Sequence, residues 1–281
     1  MTRREWKNAA AQRLAGTDAP ARTAQMLLCH ALGISREALA AHDDEVLDAC
    51  DEARLEGLLS RRMGGEPVAY IVGSREFYGR DFMVGPATLI PRPETEDLVD
   101  AALAHFPTDA AVRFADLGTG SGCIAVTLAA ERPLWSGTAL DISPEALRMA
   151  RANAQRHGVE ERISFLQADM AAPLPLPAGS FDLVAGNPPY VSEEEYAALD
   201  ADVRVFEPRA ALVPGPTGLE LPAAVVRRAA ELLRPGGLLL MEHGWLQGEA
   251  CRALCGAEVW SDAGTGRDLA GRERFLRAVR R

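Results

Sequence analysis

The chain has 281 residues, 48% of them apolar and 25% charged, a length that suits two domains and a balance that supports a substantial core and excludes a disordered chain. The formal net charge of −10, with no run of Lys and Arg, weighs against a protein that grips a long stretch of nucleic acid through its phosphates. The five cysteines are scattered without paired metal-ligand spacing, no stretch approaches the roughly 18 apolar residues of a membrane span, and the polar N-terminus lacks a signal-peptide core; the expectation is a cytoplasmic protein with no metal and no membrane contact.

Residues 1 to 80 are rich in Ala, Leu, Glu and Arg, with apolar residues at helical spacing such as Ala24, Leu27 and Leu28, then Leu55, Leu58 and Leu59. Gly16, Gly33 and the pair Gly64-Gly65 punctuate them, which predicts four or five short helices. Residues 66–92 read as a connector. Val68-Ala69-Tyr70-Ile71-Val72-Gly73 and Phe77-Tyr78 are β-rich, and Gly79-Arg80-Asp81 can turn the chain into Phe82-Met83-Val84. Ile90-Pro91-Arg92-Pro93 breaks regular structure, and Pro93 suits the first position of a helix whose positive end is met by Glu94, Glu96 and Asp97.

From residue 111 strands and helices alternate. Strands are predicted at 112–117, 138–141, 163–166, 181–185 and 237–241, with a helix opened by Ser143 and Pro144 and another at 218–233. This alternation predicts a doubly wound α/β sheet, whose ligand crevice lies at the carboxyl ends of the strands.

Asp116-Leu117-Gly118-Thr119-Gly120-Ser121-Gly122 closes the first of these strands. The glycines permit a tight turn and a close ligand approach. The pattern is not the dinucleotide G-x-G-x-x-G and has no phosphate-loop Lys-Ser/Thr. Asp116 can accept from a ligand ammonium, and Asp141, at the end of the second strand, from ribose hydroxyls. Asp169 and Met170 can bracket an adenine, the carboxylate at its amine and the thioether on its face. A ligand with adenine, ribose and an amino-acid end but no phosphate fits S-adenosylmethionine better than NAD. The bland reading is a glycine turn with acids capping helices.

Asn187-Pro188-Pro189-Tyr190 follows the fourth strand. The prolines stiffen the turn and push Asn187 out of the helical region. The Asn187 side-chain oxygen and the Pro188 carbonyl can then receive the two hydrogens of a planar NH₂ group, whose delocalised lone pair is barely nucleophilic until it is fixed before an activated methyl. Tyr190 can cover a flat face of the substrate. A plain Asn-capped Pro-Pro turn is the alternative.

Other residues carry less. Arg92 and Phe206-Glu207-Pro208 either shape the substrate mouth or pack; Glu242-His243-Gly244 reads as structural, lacking the second His of a zinc motif; Trp6, Trp135, Trp245 and Trp260 read as packing residues; Cys251 and Cys255 share a helix face as small apolar groups.

With these residues in place, the sequence resembles the peptide chain release factor N5-glutamine methyltransferases. The resemblance runs through Gly65-Glu66-Pro67-Val68-Ala69-Tyr70-Ile71-Val72-Gly73, Arg75-Glu76-Phe77 and Leu89-Ile90-Pro91-Arg92-Pro93-Glu94-Thr95-Glu96. It continues in the glycine loop, the Asn187 to Tyr190 segment, Phe206-Glu207-Pro208 and Glu242-His243-Gly244. It implies a Rossmann-like methyltransferase sheet preceded by a small all-helical substrate-recognition domain: residues 1–80 helical, a β-hairpin linker to about residue 92, and residues 93–281 the S-adenosylmethionine-dependent domain. It further implies methylation of the glutamine amide in the Gly-Gly-Gln motif of bacterial class 1 release factors. By the same resemblance Gly118, Thr119, Gly120, Ser121, Gly122, Asp141 and Met170 contact the cofactor, and Asn187, Pro188, Pro189 and Tyr190 hold the glutamine. An aromatic residue stands at the position of Met170 in some of that family. The competing readings are an adenine-N6 methyltransferase on DNA or RNA, which needs a basic channel and base flipping, and a non-catalytic module that kept the fold. The acidic balance speaks against the first, and no stable nucleic-acid binding is expected.

Overall fold

Capping side chains set the limits of the first helices in the computed structural model, which describes residues 1–281. Helix α1 (Arg3–Arg13) opens with a reciprocal pair: the Thr2 hydroxyl accepts from the Glu5 N–H, and the Glu5 carboxylate accepts from the Thr2 N–H. Helix α2 (Pro20–Leu32) ends at Gly33 in the left-handed region, while α3 (Arg36–Ala41) and α4 (Ala49–Met63) start at the acceptors Ser35 and Asp48. Trp6, Leu27, Leu28, Leu55, Leu59 and Ile71 form one buried cluster in this region.

The β-rich run at residues 68–73 is a helix, α5 (Val68–Val72), which corrects the expectation from its Val, Ile and Tyr content. Pro67 supplies a fixed φ at its start, Gly73 ends it in the left-handed region, and burial of Ala69, Tyr70 and Ile71 overrides local strand propensity. Met1–Ser74 and Asp200–Phe206 make one compact unit; Arg75–Leu199 and Glu207–Arg281 make the other.

The second unit begins within a hairpin of β1 (Ser74–Phe77, its first residue counted with the first unit) and β2 (Arg80–Met83). Its turn is Tyr78-Gly79, both at positive φ (52° and 70°), as a two-residue turn that follows the strand twist requires. Arg80 and Asp81 therefore lie in the returning strand rather than in the turn. Beyond it come α6 (Glu94–His105), β3 (Arg113–Leu117), α7 (Cys123–Glu131), β4 (Ser136–Asp141), α8 (Pro144–Arg156), β5 (Ile163–Gln167) and β6 (Phe181–Gly186). Then follow α9 (Glu193–Ala198), α10 (Ala201–Phe206, counted with the first unit), α11 (Glu220–Leu232), β7 (Leu233–Glu242), α12 (Gly248–Ala253), β8 (Trp260–Arg267) and β9 (Glu273–Arg280).

The large sheet has the order β5-β4-β3-β6-β7-β9-β8, parallel through β7 and antiparallel at β9 and β8. Both faces are covered, so its central strands are largely buried and their apolar residues alternate in destination. Phe114, Leu183 and Leu240 enter one core with Leu98 of α6 and Leu128 of α7; Ala115, Val184 and Leu239 enter the other with Val225 and Ala229 of α11. Strand order reverses at β3, which pairs with β4 on one side and β6 on the other, so the loops after β3 and β6 leave the sheet at its switch point. Trp6, Trp135 and Trp260 are buried, but Trp245 is 52% exposed with the Arg272 guanidinium over its ring, so it is not the packing residue expected.

Candidate active site

The turn after β3 is held by the neighbouring strand: the N–H groups of Gly118 and Thr119 both donate to the Leu140 carbonyl at 2.9 Å. Gly118 sits at φ 81°, where a Cβ would lie 2.9 Å from Met170 Cε and 4.0 Å from the Asn187 carbonyl oxygen. A side chain there would be strained and would fill the cradle. Gly122, also expected at the ligand, instead caps α7 at φ 84°, where a Cβ would come within 3.0 Å of Ala150 Cβ; it serves helix packing and is absent from the cavity wall.

Asp116 is fully buried beneath this loop and does not line the cavity. Its Oδ2 accepts from Thr119 Oγ1 at 2.6 Å and from the Ala125 N–H at 3.3 Å, while Oδ1 has no donor. Burial pushes its pKa up to about 7, against the pull of those two hydrogen bonds. The acid expected to meet a ligand ammonium therefore braces the loop, with one oxygen unfilled.

Asp141 closes β4 and accepts the Gly120 N–H on Oδ2 and the Ser143 N–H on Oδ1, both at 2.9 Å. Burial raises its pKa more than these bonds lower it. Asp169 lies just past β5 and accepts from the Ala171 N–H at 2.8 Å. A cavity of about 570 Å³ brings together residues 118–121, Asp141, Asp169, Met170 and Asn187, a volume in the range of small-molecule sites. The glycine cradle and the acids at the ends of β4 and β5, all in the cavity wall, fit a nucleoside ligand.

The segment after β6 forms the adjoining wall of the cavity. Asn187 Nδ2 donates to Thr95 Oγ1 at 3.2 Å, so Oδ1 diverges from that bond on a residue that lines the cavity. Pro189 lines the same wall, Pro188 is buried, and no backbone N–H is bonded to the Pro188 carbonyl. Tyr190, expected over a face of the substrate, points elsewhere. Its hydroxyl donates to Glu242 Oε1 at 3.1 Å, its carbonyl accepts from Gln247 Nε2 at 2.8 Å, and it is not part of the wall.

Arg92 is likewise turned from the cavity, which Pro91 lines in its place. Its guanidinium meets Glu207 Oε1 at 2.5 Å, and Glu207 Oε2 accepts the Ile90 N–H at 3.1 Å. Glu242, read as structural, is buried at the end of β7 and accepts from Thr95 Oγ1 at 2.6 Å. Sequence reasoning missed Thr95 in the wall. It also missed Asn153, whose buried amide joins Met83 and the Ser121 carbonyl across three segments. The only signals for Thr95 and Glu242 were the motifs that contain them.

The sheet order, the glycine turn and the strand-end acids define a Rossmann-like methyltransferase, and residues 108–266 match the family described as a methyltransferase domain. Among solved structures, the ribosomal protein L11 methylase from Lactobacillus delbrueckii subsp. bulgaricus shares the fold at a TM-score of 0.50 and 18% identity, over 74% of this chain and 88% of that one. Residues 5–73 match the family described as PrmC N-terminal domain. The proteins named release factor glutamine methyltransferase include one from Nitratidesulfovibrio vulgaris, 51% identical over 96% of this chain and 92% of its own length. Another, from Escherichia coli, is 40% identical over 98% and 97%. The chain belongs to this release factor glutamine methyltransferase family, whose methyl donor is S-adenosylmethionine. No helix is long and apolar enough to cross a membrane.

Proposed function

We propose that this protein transfers a methyl group from S-adenosylmethionine to the side-chain amide nitrogen of the glutamine in the Gly-Gly-Gln motif of bacterial class 1 release factors. The observation that carries the reading is the Asn187 amide, tied through Nδ2 to Thr95 on a residue that lines the cavity beside the glycine cradle. The family's named substrates agree with it.

The donor supplies an electrophilic methyl on a sulfonium. Residues 118–121, Asp141, Asp169 and Met170 would hold it, with Asp116 bracing the loop from beneath. Asn187 Oδ1 and the Pro188 carbonyl accept the two N–H bonds of the substrate amide and fix its nitrogen toward the methyl. As positive charge develops on that nitrogen, both acceptors bind it more strongly, so they lower the barrier rather than the ground state. No side chain is required as a base, because the alkylated nitrogen readily loses its proton. Tyr190 anchors the clamp instead of covering the substrate.

Residues 1–80 are proposed to recognise the release factor and residues 93–281 to carry the chemistry. With a translation factor as substrate, the proposed place of action is the cytoplasm, and the net charge of −10 supports a protein rather than a duplex as partner. Mass spectrometry of the release factor after incubation with S-adenosylmethionine tests the reading. One added methyl on the Gly-Gly-Gln glutamine is expected; methyl groups found only in a DNA control would reject it in favour of an adenine substrate.

A further inference from the structure

Two motifs that the cofactor and the clamp leave unexplained meet behind Asn187. Thr95 comes from the first turn of α6, in Pro-Arg-Pro-Glu-Thr-Glu, and Glu242 ends β7, in Glu-His-Gly. Thr95 is 1% exposed and Glu242 2%. Glu242 Oε2 takes the Thr95 hydroxyl at 2.6 Å, Thr95 Oγ1 takes Asn187 Nδ2 at 3.2 Å, and Glu242 Oε1 takes the Tyr190 hydroxyl at 3.1 Å.

We propose that Glu242 and Thr95 are positioning residues that set which end of the Asn187 amide faces the substrate, a proposal that rests on the methyl-transfer reading above. In its ionised form Glu242 only accepts, and with Oε1 taken by the Tyr190 hydroxyl the single Thr95 proton is committed to Oε2; burial pushes the Glu242 pKa up to about 7, so the relay holds above that pH. Thr95 Oγ1 can then only accept from Asn187, which must present Nδ2 to it and keep Oδ1 for the cavity. The two ends of an Asn amide are nearly the same size, so packing alone cannot choose between them. Without the relay the amide can flip, set its own NH₂ against the substrate NH₂ and lose the acceptor. The same carboxylate holds Tyr190, so one buried group anchors both ends of the clamp.

The variants are Thr95→Val, which keeps shape and removes the hydroxyl, Thr95→Ser, which keeps the hydroxyl, and Glu242→Gln. Gln offers one acceptor to two hydroxyl donors, so one anchor must reverse. Full-length enzyme is assayed with release factor for kcat and KM, and by calorimetry for S-adenosylmethionine affinity. Thr95→Val is expected to lower kcat about 10- to 100-fold, as loss of one orienting hydrogen bond implies, with KM and cofactor affinity within about threefold. Thr95→Ser should be at least about 10-fold faster than Thr95→Val, and Glu242→Gln should lower kcat about 10-fold. An active wild type with Thr95→Val within threefold of it in kcat, or with Thr95→Val and Thr95→Ser equally slow, overturns the relay alone. A wild type that methylates no release factor overturns the functional reading and the relay with it.

Discussion

The Gly120 N–H donates to Asp141 Oδ2 at 2.9 Å, so the acid at the end of β4 fastens the same glycine turn that it would help to present to a ribose. Removing it should act on both. Asp141→Ala is expected to weaken S-adenosylmethionine binding about 10- to 100-fold, the effect of losing one or two charge-assisted hydrogen bonds. Titration calorimetry checks this, and kcat at saturating donor should fall much less than the affinity.

Gly118 is expected to resist even the smallest side chain. At φ 81° a Cβ is strained, and it would press on Met170 Cε at 2.9 Å. The methyl end of Met170 can give way, so backbone strain dominates the loss of stability, about 1–3 kcal/mol. The displaced thioether would still crowd the cavity. Urea unfolding and donor titration of Gly118→Ala should show both effects together.

Burial holds the Asp116 pKa at about 7, above the ordinary carboxyl value of 3.8 that it has in the unfolded chain. The native state therefore binds a proton between those values that the unfolded chain has lost. The stability this group contributes is present below pH 4 and fades as pH rises toward 7. Asp116→Asn has no such titration. Melting temperatures of the two proteins, compared from pH 4 to pH 8, should move in favour of the Asn variant as pH rises.

The Arg92–Glu207 pair is asymmetric: the Glu207 side chain is 1% exposed and that of Arg92 33%. Arg92→Ala leaves a buried carboxylate without its cation and should destabilise by about 3–5 kcal/mol. Glu207→Gln can keep an acceptor for the Ile90 N–H and should lose only about 1–2 kcal/mol. Denaturant unfolding of both variants checks the order.

What was legible in the sequence was local. Asn187-Pro188-Pro189-Tyr190 and the loop of Gly118, Gly120 and Gly122 announce themselves because proline and glycine dictate backbone geometry residue by residue. The five parallel strands followed from apolar runs buried on both faces. Val68–Val72 misled because a short apolar run carries no periodicity, and its helix is decided by Pro67, Gly73 and burial. Strands β8 and β9 went unread. Gly264, Gly266 and Asp262 weaken the first, and arginines interleave the buried Phe275, Leu276 and Ala278 of the second. Pairing of β9 with β7 and of β8 with β9, not propensity, makes them strands. The anchoring of the clamp was out of reach, since Asn187 meets Thr95 across 92 residues and Thr95 meets Glu242 across 147. Arg92 and Tyr190 were placed by their motifs, yet their partners, Glu207 and Glu242, turn them from the cavity.

In the proposed mechanism the Asn187 oxygen acts as an acceptor in the transition state. Steady-state kinetics of Asn187→Ala on release factor, paired with S-adenosylmethionine titration of the same preparation, tests that most directly. We predict a kcat at least about 100-fold lower, comparable to loss of a preorganised transition-state contact, with donor affinity within about threefold of wild type. Equal losses in turnover and donor affinity, or an unchanged kcat, would contradict it.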